Sequence, residues 1–311
     1  MINGKQIKIS FEGFWPDFYP NAFFVPFVST ALSCEVVVTE SSESDLVFTS
    51  VFPKTNLGTR VVGLVRRKSG REPLVHPKSK LPFQKHIWYT GENLRPPIDN
   101  YDLCFSFDSD TYGETNVYLP YFYTLLDWFE DGQMSKSLEG NRAGKIVSPK
   151  VAASPRISNV ADRTDFVCAF VGKPYPTRMR ALAALEKFGN VDIYGSAVGR
   201  PVPDKYSIAK RYKFMLCFEN DLFPGYVTEK PLDAWLSGCI PLWYGIDSVG
   251  LLNQSSLLNA AAFDSLEAFV DAVGELNLDG NRLTQMGSEP IFSREPSLRA
   301  ASAALQRLFN H

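Results

Sequence analysis

The chain has 311 residues, of which 45% are hydrophobic and 21% charged, and its formal net charge at pH 7 is −2. This is the composition of a globular protein, and the length suffices for one large domain or two of average size. Because the chain has no basic excess, we expect no nucleic-acid partner, and any phosphate chemistry has to depend on a few placed cations.

Short apolar runs alternate with polar loops in the first half of the chain. The runs that predict β-strands are residues 5–10, 34–38, 45–50, 60–65, 86–90 and 102–107. A helix is predicted near residues 19–33, and the aromatic stretch 117–129 is predicted to end in a helix. Residues 66–82 are rich in Lys, Arg, Pro and Ser, which indicates an exposed loop.

The sequence changes character over residues 130–162, which carry Gly, Ser, Lys, Asn and Pro with few large apolar side chains. Such a stretch is typical of a boundary between domains. We therefore predict two domains, 1–150 and 151–311.

The second half repeats a strand-then-helix rhythm. Its predicted strands are residues 165–171, 191–195, 212–219 and 239–245. Its predicted helices are residues 176–189, 228–238, 265–276 and 296–309, the second of them capped by Thr228. Alternation at this spacing predicts an α/β fold with a parallel, Rossmann-like sheet.

Cysteine and histidine usage argues against a metal centre and against a disulfide framework. The five cysteines are widely spaced and mostly lie in apolar runs, as small buried hydrophobes in a reducing compartment would. With three histidines and no clustered ligands, a structural zinc site is not expected. The first residues lack the apolar core of a signal peptide and no run of about 18 apolar residues occurs, so we expect a cytoplasmic protein without a transmembrane segment.

The loop between the third strand and the second helix of this half concentrates polar side chains. It reads FENDLFPGYVTEKP and contains Asn220, Tyr226, Glu229 and Lys230. Ligands of open α/β sheets bind beyond the carboxyl ends of the strands, and a helix start offers unpaired N–H groups to an anion. Lys230 would add a full positive charge and Glu229 two acceptors for vicinal hydroxyls, so a diphosphate joined to a ribose fits this loop. The alternative is an ordinary capped helix start in which Glu229 pairs with Lys230.

A second source of cations is VGKPYPTRMR, which leads from the first strand of this half into its helix. An arginine can fork onto two phosphate oxygens. Arg178 is the preferred candidate, whereas Arg180 is more simply explained as a solvated helix charge.

Over residues 212–245 the sequence YKFMLCFENDLFPGYVTEKPLDAWLSGCIPLWYG resembles the donor-binding signature of the α1,3/α1,4-fucosyltransferases. SDLVF (44–48), YTGEN (89–93), the FVG…R…L stretch (170–185) and VDIYG (191–195) resemble further segments of that family, in the same order. The resemblance therefore spans most of the chain from about residue 5 to 265.

The resemblance implies a fold of two facing Rossmann-like domains with a cleft between them, of the glycosyltransferase GT-B type. Domain 1–150 would bind the acceptor and domain 151–311 the GDP-sugar. By position, Glu92 would be the general base, and Arg178 and Lys230 would hold the pyrophosphate. Glu229 would hold the ribose, and Asn220 and Tyr226 would line the donor pocket.

The implied activity is inverting transfer of L-fucose from GDP-fucose to a hydroxyl of an oligosaccharide, most simply O3 of an N-acetylglucosamine- or glucose-containing glycan. GDP-fucose is the co-substrate and no cofactor is required, although weak stimulation by divalent cations is allowed for. The alternatives are a glycosyltransferase of the same fold that uses another sugar nucleotide, and a carbohydrate-binding protein that catalyses no reaction. The acceptor, the linkage and the oligomeric state stay open.

Two further groups of residues are candidates for a function. Asp108 and Asp110 form an Asp-x-Asp pair like the one that holds a metal ion in another class of glycosyltransferase, but a solvated turn is the preferred explanation. Aromatic side chains of the first half could stack on acceptor sugars, although most such residues are core: Phe14, Trp15, Tyr118, Tyr121 and Tyr123.

Overall fold

The computed structural model describes residues 6–15, 18–52, 83–129 and 146–309. The predicted strand 60–65 and loop 66–82 lie outside these residues. The described chain folds into two compact units. The first comprises the residues up to Leu125, Phe129 and a C-terminal segment that begins at Ser297; the second comprises Leu126–Trp128 and residues 146–296.

The first unit is built on a parallel sheet of six described strands. These strands are β1 (Gln6–Glu12), β2 (Glu35–Val38), β3 (Leu46–Thr49), β4 (Lys85–Tyr89), β5 (Leu103–Ser106) and β6 (Asn116–Tyr118). Their order across the sheet is β2–β1–β3–β4–β5–β6. The central strands β3 and β5 are buried along their whole length, as strands covered on both faces should be. Helix α1 (Phe24–Leu32) connects β1 to β2.

The second unit repeats this architecture with a parallel sheet of five described strands. They are β7 (Asp165–Phe170), β8 (Val191–Tyr194), β9 (Tyr212–Phe218), β10 (Ile240–Tyr244) and β11 (Leu258–Asn259). The helices of this unit are α2 (Pro149–Ala152), α3 (Pro176–Leu185), α4 (Lys205–Ala209), α5 (Lys230–Leu236), α6 (Leu266–Leu278) and α7 (Gly280–Ser288). The strand order is β8–β7–β9–β10–β11.

The order of the second sheet places a topological switch point between β7 and β9. From β7 the chain moves outward to β8, then returns to the other side of β7 to form β9. Ala169 near the end of β7 pairs with Leu216 near the end of β9, so the carboxyl ends of the two strands are neighbours. A crevice at such a point is where open α/β sheets bind ligands.

Local sequence accounts for the helices that flank this sheet. Helix α3 starts at Pro176, whose missing N–H costs nothing in the first turn, and it packs Ala181, Leu182 and Leu185 into the core. Ser265 caps α6 by accepting a hydrogen bond from Ala268 N. The packing of these apolar side chains on the sheet fixes the positions from which the loops at its carboxyl edge start.

Two predicted elements differ in the structure. The C-terminal helix α8 (Arg299–Phe309), assigned to the second domain in the sequence, belongs to the first unit. It packs on α1, and Gln306 Nε2 donates a hydrogen bond to Ala31 O over 2.7 Å. The aromatic stretch that was to end in a helix forms β6 and a short 3-10 helix at Tyr121–Leu125, because Pro120 interrupts the run.

The five cysteines are buried and carry no disulfide, as their apolar surroundings predict. Within the described residues no helix combines the length and the apolar character that crossing a membrane requires.

Candidate functional site

A pocket opens on the second unit at the carboxyl ends of β7 and β9. Its apolar wall includes Phe170 from β7 and Phe218 from β9. Its charged lining residues are Arg178, Lys205, Glu229, Lys230 and Asp233. Three residues predicted for the donor site, Arg178, Glu229 and Lys230, thus line one pocket at the switch point.

Lys230 is held by a buried carboxylate that the sequence analysis did not single out. Its Nζ donates to Glu219 Oε2 over 2.7 Å and to Thr228 Oγ1 over 2.8 Å. The Glu219 side chain is 0% exposed and also accepts hydrogen bonds from Thr228 N, Thr228 Oγ1 and Trp243 Nε1. The Lys230 side chain keeps 22% of its surface exposed, so the ammonium is fixed from behind and faces the pocket.

The environment of Lys230 keeps its ammonium charged. Burial acts to lower its pKa, but the carboxylates of Glu219 and Glu229 outweigh burial and raise the pKa above the ordinary value. A raised folded-state pKa means that the pair contributes its full stabilisation at neutral pH and loses it only as pH rises through that raised value. A fixed cation is therefore present in the pocket throughout the neutral range.

Arg178 joins the loops that follow β7 and β9. Its Nη1 donates to Lys173 O over 3.0 Å, and its Nη2 donates to Phe218 O over 2.7 Å and to Asn220 Oδ1 over 3.2 Å. The residue is 6% exposed, and burial lowers the pKa of its guanidinium. A guanidinium has five N–H groups, and the described residues accept three hydrogen bonds from it, so two remain for an anion in the pocket.

The other predicted donor-site residues occupy different positions. Asn220 binds Arg178 rather than lining the pocket itself. Tyr226 is 3% exposed and follows Gly225, whose φ of 84° only glycine adopts easily. Among the described residues Tyr226 does not line the pocket. Arg180 is exposed, which agrees with the preference for Arg178.

The start of α5 differs from its prediction as a helix capped by Thr228. Glu229 occupies the cap position without a capping side-chain hydrogen bond, and the Thr228 hydroxyl donates to Glu219 Oε2 over 2.8 Å. Lys230 forms its ion pair with Glu219 over 2.7 Å, while Glu229, the partner in the alternative explanation, acts on Lys230 by raising its pKa. Pro231 in the first turn has no N–H, so the positive charge here comes from side chains more than from the helix.

Sequence reasoning also missed Lys205 and Asp233, which face each other at the pocket. Lys205 Nζ forms a hydrogen-bonded ion pair with Asp233 Oδ2, and Tyr206 Oη donates to Asp233 Oδ1 over 2.7 Å. For Glu219 a signal was present, because a carboxylate that ends an otherwise apolar strand has to find a partner. For Lys205, 25 residues before Lys230, the sequence offered no such signal.

Glu92 lies in the first unit, in the turn after β4. Its backbone N–H donates to Thr90 Oγ1 over 3.0 Å, which closes the turn. A side chain in place of Gly91 would start 2.9 Å from the Tyr121 ring, so the backbone packs closely there. Among the described residues, the hydrogen bonds of Glu92 are made by its backbone and none reaches its carboxylate.

The Asp108–Asp110 pair forms a hydrogen-bonded turn. Asp108 Oδ2 accepts from Tyr112 Oη over 2.7 Å, Asp108 Oδ1 accepts from Asp110 N, and Asp110 Oδ1 accepts from Tyr112 N. The hydrogen bond to Asp108 raises the pKa of Tyr112 to about 12. These contacts support a turn, although Asp108 is buried and not solvated as expected.

The aromatic side chains of the first half pack mainly on one another. Phe14 stacks on Phe18 with ring centroids 4.0 Å apart, and Trp15 meets Tyr121 edge-on at 5.7 Å. Tyr118 and Tyr123 meet edge-on at 6.2 Å. These contacts support the interpretation that most of these aromatic side chains belong to the hydrophobic core.

The two parallel α/β sheets are those of the Rossmann-like GT-B fold. Solved structures support that fold: an α1,3-fucosyltransferase with GDP aligns over 99% of this chain and 92% of its own, with a TM-score of 0.70 and 22% identity. A structure of an α1,3-fucosyltransferase with GDP-fucose aligns with a TM-score of 0.69 and 22% identity. The predicted α/β fold class is confirmed.

Sequence comparison finds similarity to fucosyltransferases. Residues 160–285 match the model of glycosyltransferase family 10 (fucosyltransferase) C-term. The α-(1,3)-fucosyltransferase FucT of Helicobacter pylori is 29% identical over 234 residues, which are 69% of this chain and 49% of that protein. The 3-galactosyl-N-acetylglucosaminide 4-α-L-fucosyltransferase FUT3 of Homo sapiens is 29% identical over 51% of this chain and 42% of its own length.

Residues 160–285 of the chain thus match the C-terminal part of the fucosyltransferase family, and the resemblance seen in the sequence is confirmed. The chain spans about half the length of the curated relatives it matches.

Proposed function

We propose that this protein is a fucosyltransferase that binds GDP-fucose in the pocket of its second unit. The observation that carries the proposal is the pair of fixed cations, Arg178 and Lys230, at the switch point of a domain that matches the fucosyltransferase family. Both cations keep N–H groups for a ligand while internal acceptors hold them in place. A diphosphate is the part of GDP-fucose that such a pair recognises.

The remaining donor contacts follow from the same arrangement. Glu229 lines the pocket one residue before Lys230, which supports its assignment to the ribose hydroxyls. Asn220 orients Arg178, and Tyr226 shapes the loop beside it. We assign these residues to donor binding.

The proposed reaction is an inverting displacement at the anomeric carbon of fucose. An acceptor hydroxyl oxygen forms the new bond to that carbon, and its proton passes to the Glu92 carboxylate. The bond from the carbon to the phosphate oxygen breaks on the opposite face, and GDP leaves with the electron pair. Arg178 and Lys230 stabilise the charge that grows on the diphosphate. Because these two side chains provide the positive charge, we propose that no metal ion is required.

The acceptor proposal draws on the relatives. The Helicobacter pylori protein is named an α-(1,3)-fucosyltransferase, and FUT3 is named for a galactosyl-N-acetylglucosaminide acceptor. For this chain we propose transfer of fucose to a hydroxyl, in the first place O3, of an N-acetylglucosamine- or glucose-containing glycan. A cytoplasmic location is proposed with it.

Thermal unfolding with different nucleotides tests the donor site without a guess about the acceptor. We expect GDP and GDP-fucose to raise Tm while UDP at the same concentration does not. A ligand present at ~100 times its Kd stabilises the folded state by roughly 2.7 kcal/mol, which is readily measured. A shift with UDP but not with GDP would indicate a different sugar nucleotide, and no shift with any nucleotide would contradict the donor site.

A further inference from the structure

The pocket contains a third cation, Lys205, at the first position of the short helix α4. Asp204 caps this helix by accepting from Tyr206 N and Ser207 N, which fixes the backbone of Lys205. The Lys205 side chain is 21% exposed and reaches Asp233 on α5. Its ammonium thus lies where two helices meet at the edge of the pocket.

Helix α5 carries two side chains of opposite charge, Lys230 and Asp233, about one turn apart, and each forms an ion pair with a residue outside the helix. Lys230 pairs with Glu219 at the end of β9, and Asp233 pairs with Lys205 of α4. In both pairs the carboxylate is the more buried member, with side-chain exposures of 0% and 4%, and the lysine lines the pocket, which Asp233 lines as well. The two lysines are therefore presented to the pocket in the same way.

The Asp233 contact leaves Lys205 free to bind a further acceptor. Tyr206 Oη donates to one carboxylate oxygen of Asp233 and Lys205 Nζ contacts the other. The Lys205 ammonium has three N–H groups, and Asp233 is the one described residue that accepts a hydrogen bond from it.

The charge balance of the pocket gives Lys205 a function beyond holding two helices together. The carboxylates that line the pocket or bind its cations are Glu219, Glu229 and Asp233. The cations are Arg178, Lys205 and Lys230. With Lys205 the sum of formal charges is zero; without it the sum is −1, and the pocket would repel a diphosphate.

We propose that Lys205 is a further binding residue for the nucleoside diphosphate, positioned by Asp233 and Tyr206. The proposal rests on the proposed function, because it takes the ligand of the pocket to be the donor nucleotide. Lys205 meets the anionic part of the ligand from the side of α4, while Lys230 meets it from α5.

The test is the Kd of GDP, measured by titration calorimetry, for Lys205→Met and Lys205→Arg. We expect Lys205→Met to weaken binding about tenfold, which corresponds to ~1.4 kcal/mol. Lys205→Arg keeps the charge and should retain most of the affinity. Lys210→Met, which removes an exposed lysine at the other end of the same helix, is the matched control and should bind as the wild type does.

The Tm of the ligand-free variants separates ligand binding from a purely structural function. Lys205→Met leaves Asp233 buried without its cation, so the double variant Lys205→Met/Asp233→Asn, which removes that charge too, is measured beside it. Weaker GDP binding by both, with rescue in Lys205→Arg, supports the proposal, because the double variant restores a charge sum of zero and lacks only the ammonium that contacts the phosphates. A lower ligand-free Tm with an unchanged Kd for GDP would overturn it and leave Lys205 a link between two helices.

Inorganic pyrophosphate distinguishes this proposal from the donor assignment on which it rests. If the wild type binds pyrophosphate and Lys205→Met weakens that binding, Lys205 contacts the phosphates. This conclusion holds even if the protein does not prefer GDP over UDP, in which case only the identity of the donor is wrong. If GDP binds and Lys230→Met weakens it while Lys205→Met does not, the donor site holds and the assignment of Lys205 is wrong. If neither GDP nor pyrophosphate binds, both the donor site and the assignment of Lys205 are contradicted.

Discussion

Glu92→Gln is expected to lower kcat for fucose transfer by about 10²- to 10⁴-fold, the usual contribution of a positioned general base. The amide keeps the shape of the side chain but does not accept the proton of the acceptor hydroxyl. The turn that holds residue 92 depends on its backbone N–H and Thr90 Oγ1, so the substitution leaves the local structure intact. The affinity for GDP should stay unchanged, because the nucleotide contacts are assigned to the second unit.

Initial rates with GDP-fucose and a fixed acceptor, together with the Kd of GDP, measure this prediction. Glu43→Gln is the matched control, since Glu43 is an exposed glutamate of the same unit and should lose nothing. Wild-type turnover in Glu92→Gln would show that another group removes the proton. A parallel loss of GDP affinity would instead place Glu92 in ligand binding.

Lys230→Met is expected to weaken GDP binding by roughly tenfold to a hundredfold, because a charge-assisted hydrogen bond is worth about 1.5–3 kcal/mol. The variant should also be less stable without ligand. Glu219 is 0% exposed and would lose its cation, and removing one partner of a buried ion pair costs about 3–5 kcal/mol.

The double variant Glu219→Gln/Lys230→Met separates these two effects. The glutamine side chain is neutral and can still bind Thr228 and Trp243, so we expect much of the lost free energy of unfolding to return. The affinity for GDP should stay low, since the cation that meets the phosphate is absent. Recovery of GDP binding in the double variant would mean that Lys230 acts only through the stability of the site.

The sequence predicted the sheets better than the helix ends. Runs such as residues 165–171 and 212–219 became β7 and β9, because strands buried on both faces have to be nearly continuous in apolar residues. The C-terminal helix was assigned to the wrong unit because its partner, α1, lies more than 260 residues away in the chain. An amphipathic pattern shows that a helix has an apolar face but not which surface covers it.

The candidate site was predictable where its residues share one loop or follow one strand. The sequence predicted that Glu229, Lys230 and Arg178 lie together because loops at the carboxyl edge of a parallel sheet are where ligands bind, and the three residues do line one pocket. The partners that hold these cations were harder to predict. Glu219 was counted as part of a strand, and Asp233 with Lys205 depends on the packing of α4 against α5.

The most direct test of the account is the transfer of radiolabelled fucose from GDP-fucose to a panel of glycans that end in N-acetylglucosamine-containing disaccharides or in glucose, with EDTA present. The account predicts labelled product with one GDP released per fucose, and an anomeric configuration in the product opposite to that in the donor. If no glycan accepts label from GDP-fucose while another sugar nucleotide supports transfer, the proposed activity is contradicted.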